Sequence, residues 1–344
     1  MKRLLSKLSL IGVCGLLFGM ASVPSRADDL AGFYSGKTVT VAIGYSAGGG
    51  YDLYARLLAR YMGKYIPGNP TIVPQNMPGA GSLKVAKYLY EVAPKDGTVF
   101  GTFSRSMPLA PVEGMEGATF DSRKFTWLGS MAKDVTMCVT SDESGIKDWA
   151  AALKTDFTVG GEGQGSDPDV FANVIKNVYG AKAKLVTGYP GTSEMFLALE
   201  RGELAGICGV SYSTVMGRWA EPLKQGQLHI IVQGGLEKHA DLPNVPNMLD
   251  LAADAHQKTL MRLILAPQAM ARPFAAPPDI PAERAKALRD AFAAALKDPD
   301  LIAEAQKQKI DVGLMSAAQL QNLLDELYQA PKEIDVEAAK ISGL

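Results

Sequence analysis

A serine set between glycines, Gly44-Tyr45-Ser46-Ala47-Gly48, has the G-x-S-x-G spacing of a nucleophile elbow. The chemistry would be ester cleavage, with a histidine as base and backbone amides holding the oxyanion. The context argues against it. The motif follows the first strand of the chain after its leader, whereas a hydrolase needs an earlier strand-to-helix loop for its oxyanion hole. The available bases, His229, His239 and His256, have no distinctive setting, and helix-start glycines account for the match. A serine hydrolase using Ser46 is therefore an alternative reading only. Gly32-Phe33-Tyr34-Ser35-Gly36-Lys37-Thr38 has three residues between glycines where a phosphate loop has four, and it precedes its strand. Gly161, Gly163 and Gly165 do not complete a dinucleotide fingerprint. The histidines and cysteines lack metal-ligand spacing, so neither metal nor cofactor is expected.

A different pattern is more informative. Glycine-bearing loops stand at four strand-to-helix junctions, residues 46–50, 78–82, 163–167 and 188–192. In a parallel sheet such junctions lie at the carboxyl ends of the strands, where ligands bind. Backbone N–H groups at the positive end of a helix suit an anion. Ser46, Ser82, Ser166 and Thr192 add hydroxyls, and Arg105, just past the third strand, is the cationic counterpart. Asp52, Asp167 and Glu194 sit near helix starts and read as caps for the amides.

The elements that must position these loops follow from periodicity. Thr38 to Gly44 is β-branched and apolar, a buried strand, and Leu53, Tyr54, Leu57, Leu58 and Tyr61 share one face of the helix after it. Short strands near residues 71–75, 98–103, 125–131, 135–140, 157–160, 184–187, 204–208 and 228–232 alternate largely with helical segments. The region from Pro281 to Ile341 reads as helical. The alternation predicts an α/β fold with mainly parallel sheets, and the 344-residue length suggests about two domains.

Composition sets the class. Apolar residues make up 47% and charged residues 21%, ordinary for a chain with a packed core. Basic and acidic residues number 35 and 36, which gives no electrostatic case for nucleic acid. Lys2, Arg3 and Lys7 precede an apolar run from Leu8 to Met20, and Ser25-Arg26-Ala27 has the small residues of a cleavage site. Residues 1–27 are read as a secretory signal cut after Ala27. The run is too short for a bilayer span, which needs about 20 residues. Removing it takes away four basic residues and no acid, leaving a charge of −5. Cys14 lies inside the apolar run. Cys138 and Cys208 are read as buried free thiols on strands, with a disulfide the alternative that export would permit.

The segment from Gly44 to Asp52 with Ala55-Arg56 resembles the substrate-binding proteins of tripartite tricarboxylate transporters, the Bug family. Gln75-Asn76-Met77-Pro78-Gly79-Ala80-Gly81-Ser82, Gly188-Tyr189-Pro190-Gly191-Thr192, Arg201-Gly202-Glu203 and Asp241-Leu242-Pro243-Asn244-Val245-Pro246 extend the likeness over the whole chain after its leader. The resemblance implies a type II periplasmic-binding-protein fold, two α/β lobes closing on a small carboxylate that passes to membrane permease subunits. It implies a non-enzymatic, periplasmic, monomeric receptor without nucleic-acid partners; a ligand sensor for a two-component system would share this fold. Expected ligand contacts are Tyr45, Ser46, Ala47, Gly48, Gly49, Ala80, Gly81, Ser82, Ser104, Arg105, Gly165, Ser166, Tyr189, Gly191 and Thr192. The lobes are expected over 28–132, 133–233 and a return from 234 to 344, with hinges near 131–135 and 232–236. The chain departs from the family pattern at Gly163 to Asp167, without the threonine and histidine often seen there, and at Ala205, where an aspartate is frequent.

Overall fold

The computed structural model describes residues 29–344; the expected signal sequence and Cys14 lie outside them. Strands β1 (Thr38–Ile43), β2 (Thr71–Asn76), β3 (Val99–Thr102) and β4 (Thr126–Ser130) begin one sheet. The chain then builds a second from β5 (Thr136–Ser141), β6 (Phe157–Gly160), β7 (Ala183–Val186), β8 (Gly206–Ser211) and β9 (Leu228–Gly234). It returns to the first with β10 (Pro273–Ala276) and β11 (Met315–Ser316). The strand orders are β11-β4-β10-β3-β1-β2 and β7-β6-β8-β5-β9.

Both sheets are mixed, where the alternation predicted mainly parallel ones. In the first, β1 runs parallel to β2 and β3, while β10 lies antiparallel between β3 and β4. In the second, β6 runs parallel to β7 and β8, and β5 is antiparallel to β8 and β9. At the centre of the antiparallel pairing stand β5 and β10, which arrive from the other sheet. Neither enters by a crossover helix from a strand of its own sheet, the connection that imposes parallel pairing.

Of the face predicted from its spacing, helix Gly50–Met62 buries Tyr54, Leu57 and Leu58 against β1 and Phe274 of β10, with Leu53 and Tyr61 half-buried at its edges; Met62 is buried in addition. Its exposed face carries Arg60, which reaches Glu304 of helix Pro299–Lys307. Helix Asp167–Asn177 does the same for the second sheet with Val170, Phe171, Val174 and Ile175.

Residues 131–135 carry the chain out to the second sheet. The return is made at residues 266–272, not at 232–236. Residues 228–234 stay paired in the second sheet, and Met248, Leu249 and helix Ala255–Leu265 pack against it. The two crossings bond to one another: Met131 N–H donates to Arg272 O at 3.0 Å, Ala271 N–H to Ala132 O at 3.0 Å, and Asp134 N–H to Gln268 O at 3.2 Å. Helix Lys332–Ser342 also crosses, packing on helices Asp167–Asn177 and Ala255–Leu265. Segments 248–266 and 332–342, expected with the first lobe, therefore lie on the second.

Cys138 and Cys208 face each other across β5 and β8, both buried, and are joined in a disulfide. This corrects the reading of free thiols. Buried apolar strands suit a thiol and a disulfide equally, and only the register brings the two sulfurs together.

Candidate ligand cleft

The two sheets turn the carboxyl ends of β1, β3, β6 and β8 toward one another. The loops leaving these ends meet across the gap. Gly81 N–H donates to Glu162 O at 3.2 Å, and Ser46 N–H to Pro190 O at 3.1 Å. Ser46 Oγ donates to Glu194 Oε2 at 2.7 Å. Helices Gly50–Met62 and Thr192–Glu200 both start after glycines that supply no side-chain cap, so their first amides face the cleft uncapped by side chains.

Between the loops lies a narrow cavity lined from both sheets, with Tyr45, Gly50, Tyr51, Arg105 and Arg272 on one side and Glu162, Asp167, Thr192, Gly209 and Ser211 on the other. The space left for water-sized molecules is about 20 Å³, so the lobes stand closed on a nearly filled site. Roomier hollows of about 510 and 540 Å³ lie elsewhere, but each borders the second lobe only.

Two buried arginines meet this cavity. Arg105 pairs with Asp167, which also accepts from Ser106 Oγ at 2.7 Å. Arg272 is held by the hydroxyls of Ser211, Ser213 and Thr214, each at 3.1 Å, and lies 4.9 Å from the ring centres of Tyr51 and Tyr54. Tyr51 stacks on Tyr45 with centroids 4.7 Å apart. Burial pushes the Tyr51 phenol up to about 12, helped by Asp167, so the ring stays neutral beside the arginines.

Glu162 is the outlier. It is 8% exposed and accepts from Thr192 Oγ1 at 3.0 Å. Burial pushes its carboxyl up to about 8; Thr192 opposes the shift, while Asp167, Asp169 and Glu194 add to it. The unfolded chain releases this proton near 4.5, so between there and 8 the folded state binds the extra proton and stability falls as pH rises. Denaturant-derived stability should therefore drop from pH 5.5 to 7 by about 1.4 kcal/mol per pH unit more in wild type than in Glu162→Gln. Equal slopes for the two proteins would refute the shift.

Residues 54–338 match the model of the tripartite tricarboxylate transporter family receptor. The chain belongs to that receptor family. It is 25% identical to the UPF0065 protein in gbd 5'region of Cupriavidus necator over 323 residues, covering 92% of this chain and 91% of that one. Its fold is similar to that of the periplasmic binding protein BugD, with a TM-score of 0.70 and 17% identity over 90% of this chain and 99% of the other. MatC of Rhodopseudomonas palustris, solved with bound malate, aligns with a TM-score of 0.68 and 20% identity, covering 87% and 99%. A second R. palustris protein, solved with adipate, aligns at 0.66 and 16%, covering 90% and 98%.

Within this receptor family fold, Tyr45, Arg105 and Thr192 of the expected contacts line the cavity. Ser46, Gly81 and Gly191 instead form the seam where the lobes touch. Gly48 donates to Asp52, and Gly49 precedes helix Gly50–Met62 beside Thr192. Ala47 and Ala80 are exposed. Ser82 Oγ accepts from Ser104 N–H, holding the second loop to the third. Ser104 faces Gly165 O and Asp167 at 3.4 Å, Ser166 caps its own helix, and Tyr189 packs at the edge of the second core.

None of the three acids caps its helix as expected. Asp52 accepts from Gly48 N–H, ahead of the helix, and pairs with Arg56, Asp167 goes to Arg105 and Glu194 to Ser46. Ser166 caps the helix that Asp167 opens, and Asp169 accepts from the loop amides of Glu162 and Gly163. Ser46 has no histidine at hand: His229 meets Asp142, His239 lies against Tyr212, and His256 meets Glu337. The elbow spacing is present, but Ser46 is not in the positive-φ backbone of an elbow and has no base. Sequence reasoning missed Glu162, Arg272, Gly209 and Ser211. The one available signal was Arg272, a lone cation in the apolar run that leads into β10.

Proposed function

We propose that this chain is an exported periplasmic receptor whose two lobes close on a small organic carboxylate and deliver it to the membrane subunits of a tripartite transporter. The observation that carries the reading is the convergence of helix amino ends from the two sheets, together with two buried arginines from the first, on a single cavity. Anions suit such ends, and a cation-lined gap between lobes captures them without a broadly basic surface. Family membership and the malate and adipate of two solved neighbours support the ligand class. Export is supported by the Cys138–Cys208 disulfide, which persists in oxidising compartments. No helix among the described residues is long and apolar enough to cross a membrane. The paired crossings at 131–135 and 266–272 are the hinge on which closure turns.

A thermal-shift screen of the mature chain tests this reading. A dicarboxylate at a hundred times its dissociation constant should stabilise the fold by about 2.7 kcal/mol, visible as a higher melting point. If sugars or neutral amides raise the melting point and no carboxylate does, the assignment fails.

A further inference from the structure

Resting on that carboxylate reading, the lining of the cavity specifies its ligand more closely. Of the acids that line it, Asp167 is paired with Arg105. Nearby Asp169, just outside, is saturated by two backbone amides and by the hydroxyls of Ser166 and Thr187. Glu162 has only the Thr192 hydroxyl, and among the described residues no basic group lies within 4 Å of it. A buried carboxylate without a cation is unfavourable unless it keeps its proton or receives a positive partner. On the arginine side each cation already has a carboxylate, Asp167 for Arg105 and Asp134 at 3.7 Å for Arg272, but one donor of each is left over. Arg105 Nη1 and Arg272 Nε are buried donors without a hydrogen-bond partner, and both residues line the same cavity. A buried unpaired donor on a charged group is costly, and an incoming acceptor relieves it. Tyr45 and Tyr51 stand stacked in the lining with both arginines and Glu162, giving the site an aromatic wall.

We infer that the cleft selects a zwitterionic aminocarboxylate over a plain carboxylate, its ammonium donating to Glu162 and its carboxylate accepting from the Arg105–Arg272 side. The Tyr45 ring, close to the acid, can face the same ammonium. The proton that burial keeps on Glu162 in the absence of a cation is the one an ammonium would displace. The competing role for this residue is a neutral acid donating its proton to a plain carboxylate. Glutamine can imitate that donor, but as a neutral amide it is a poor partner for an ammonium.

Calorimetric titration of the mature chain at pH 7.5 with matched pairs, succinate against aspartate and adipate against 2-aminoadipate, separates these cases. At least one amino member should bind ten or more times more tightly than its plain partner. Glu162→Gln should lose at least tenfold for that amino member and keep or improve affinity for the plain one. Plain acids binding as well as or better than their amino partners overturns the inference and leaves the carboxylate reading standing. Unchanged binding of the amino member by Glu162→Gln also overturns it. Binding of butylamine with no acid of either kind bound overturns the carboxylate reading itself, and a panel in which nothing binds overturns both. The paired comparison in wild type stands by itself if the variant does not fold.

Discussion

Gly81→Ala should weaken ligand binding about a hundredfold while leaving each lobe folded. Gly81 has φ +57°, and its N–H reaches across the cleft to Glu162 O. A Cβ added there would stand 2.5 Å from Gln164 O, 2.9 Å from Ser166 N and 3.0 Å from Gly163 O, all backbone atoms of the opposite lobe. Backbone cannot swing aside as a side-chain tip can, so the closed state must open or shift. Affinity falls in proportion to the population of the closed, binding-competent state, and a penalty of about 2.7 kcal/mol on closure corresponds to the hundredfold loss. The left-handed backbone adds about 1–2 kcal/mol of its own, a modest drop in melting point. Titration calorimetry together with the radius of gyration in saturating ligand checks the prediction. The variant should stay expanded where wild type contracts. Wild-type affinity with wild-type contraction would show that closure does not pass through this contact.

The second large effect is on stability. Replacing both cysteines, Cys138→Ala with Cys208→Ala, should lower the unfolding free energy by about 4 kcal/mol. The bond closes a loop between residues 70 apart in sequence, and the entropy removed from the unfolded chain grows with the logarithm of that length. Alanine leaves no unpaired polar atom where the sulfurs were, so the measured loss reports the cross-link and two small cavities. Since both residues are fully buried in the second sheet, reduction should require unfolding. Wild type in denaturant with reductant should then show the midpoint of the double variant, and without reductant a clearly higher one. Coincident midpoints in all three samples would mean that the cross-link carries no stability.

The strands and the loops that follow them were legible because the signals are local. Thr38 to Ile43 is β-branched and apolar, the next helix buries most of the face its spacing predicts, and glycines at 48, 81 and 163 mark turns of positive φ. The return strand was not legible. Pro273-Phe274-Ala275-Ala276 has weak strand propensity, and its place between β3 and β4 comes from long-range pairing. The capping expectation at Asp167 missed by one residue. Ser166 is the cap, because Arg105, from the other sheet, takes Asp167, while the loop amides reach Asp169.

By itself, then, the amino-acid sequence determined a chain of α/β units with glycine loops at the strand ends, and the family resemblance that goes with those loops. Turn chemistry and periodicity act over a few residues and survive in any one-dimensional reading. Only the tertiary structure decided that Cys138 meets Cys208, that Arg272 joins Arg105, and that Glu162 stands buried opposite them without a cation. Those facts depend on how two sheets, built from interleaved stretches of chain, are packed together. Charge, burial and proton affinity at the cleft are set by that packing.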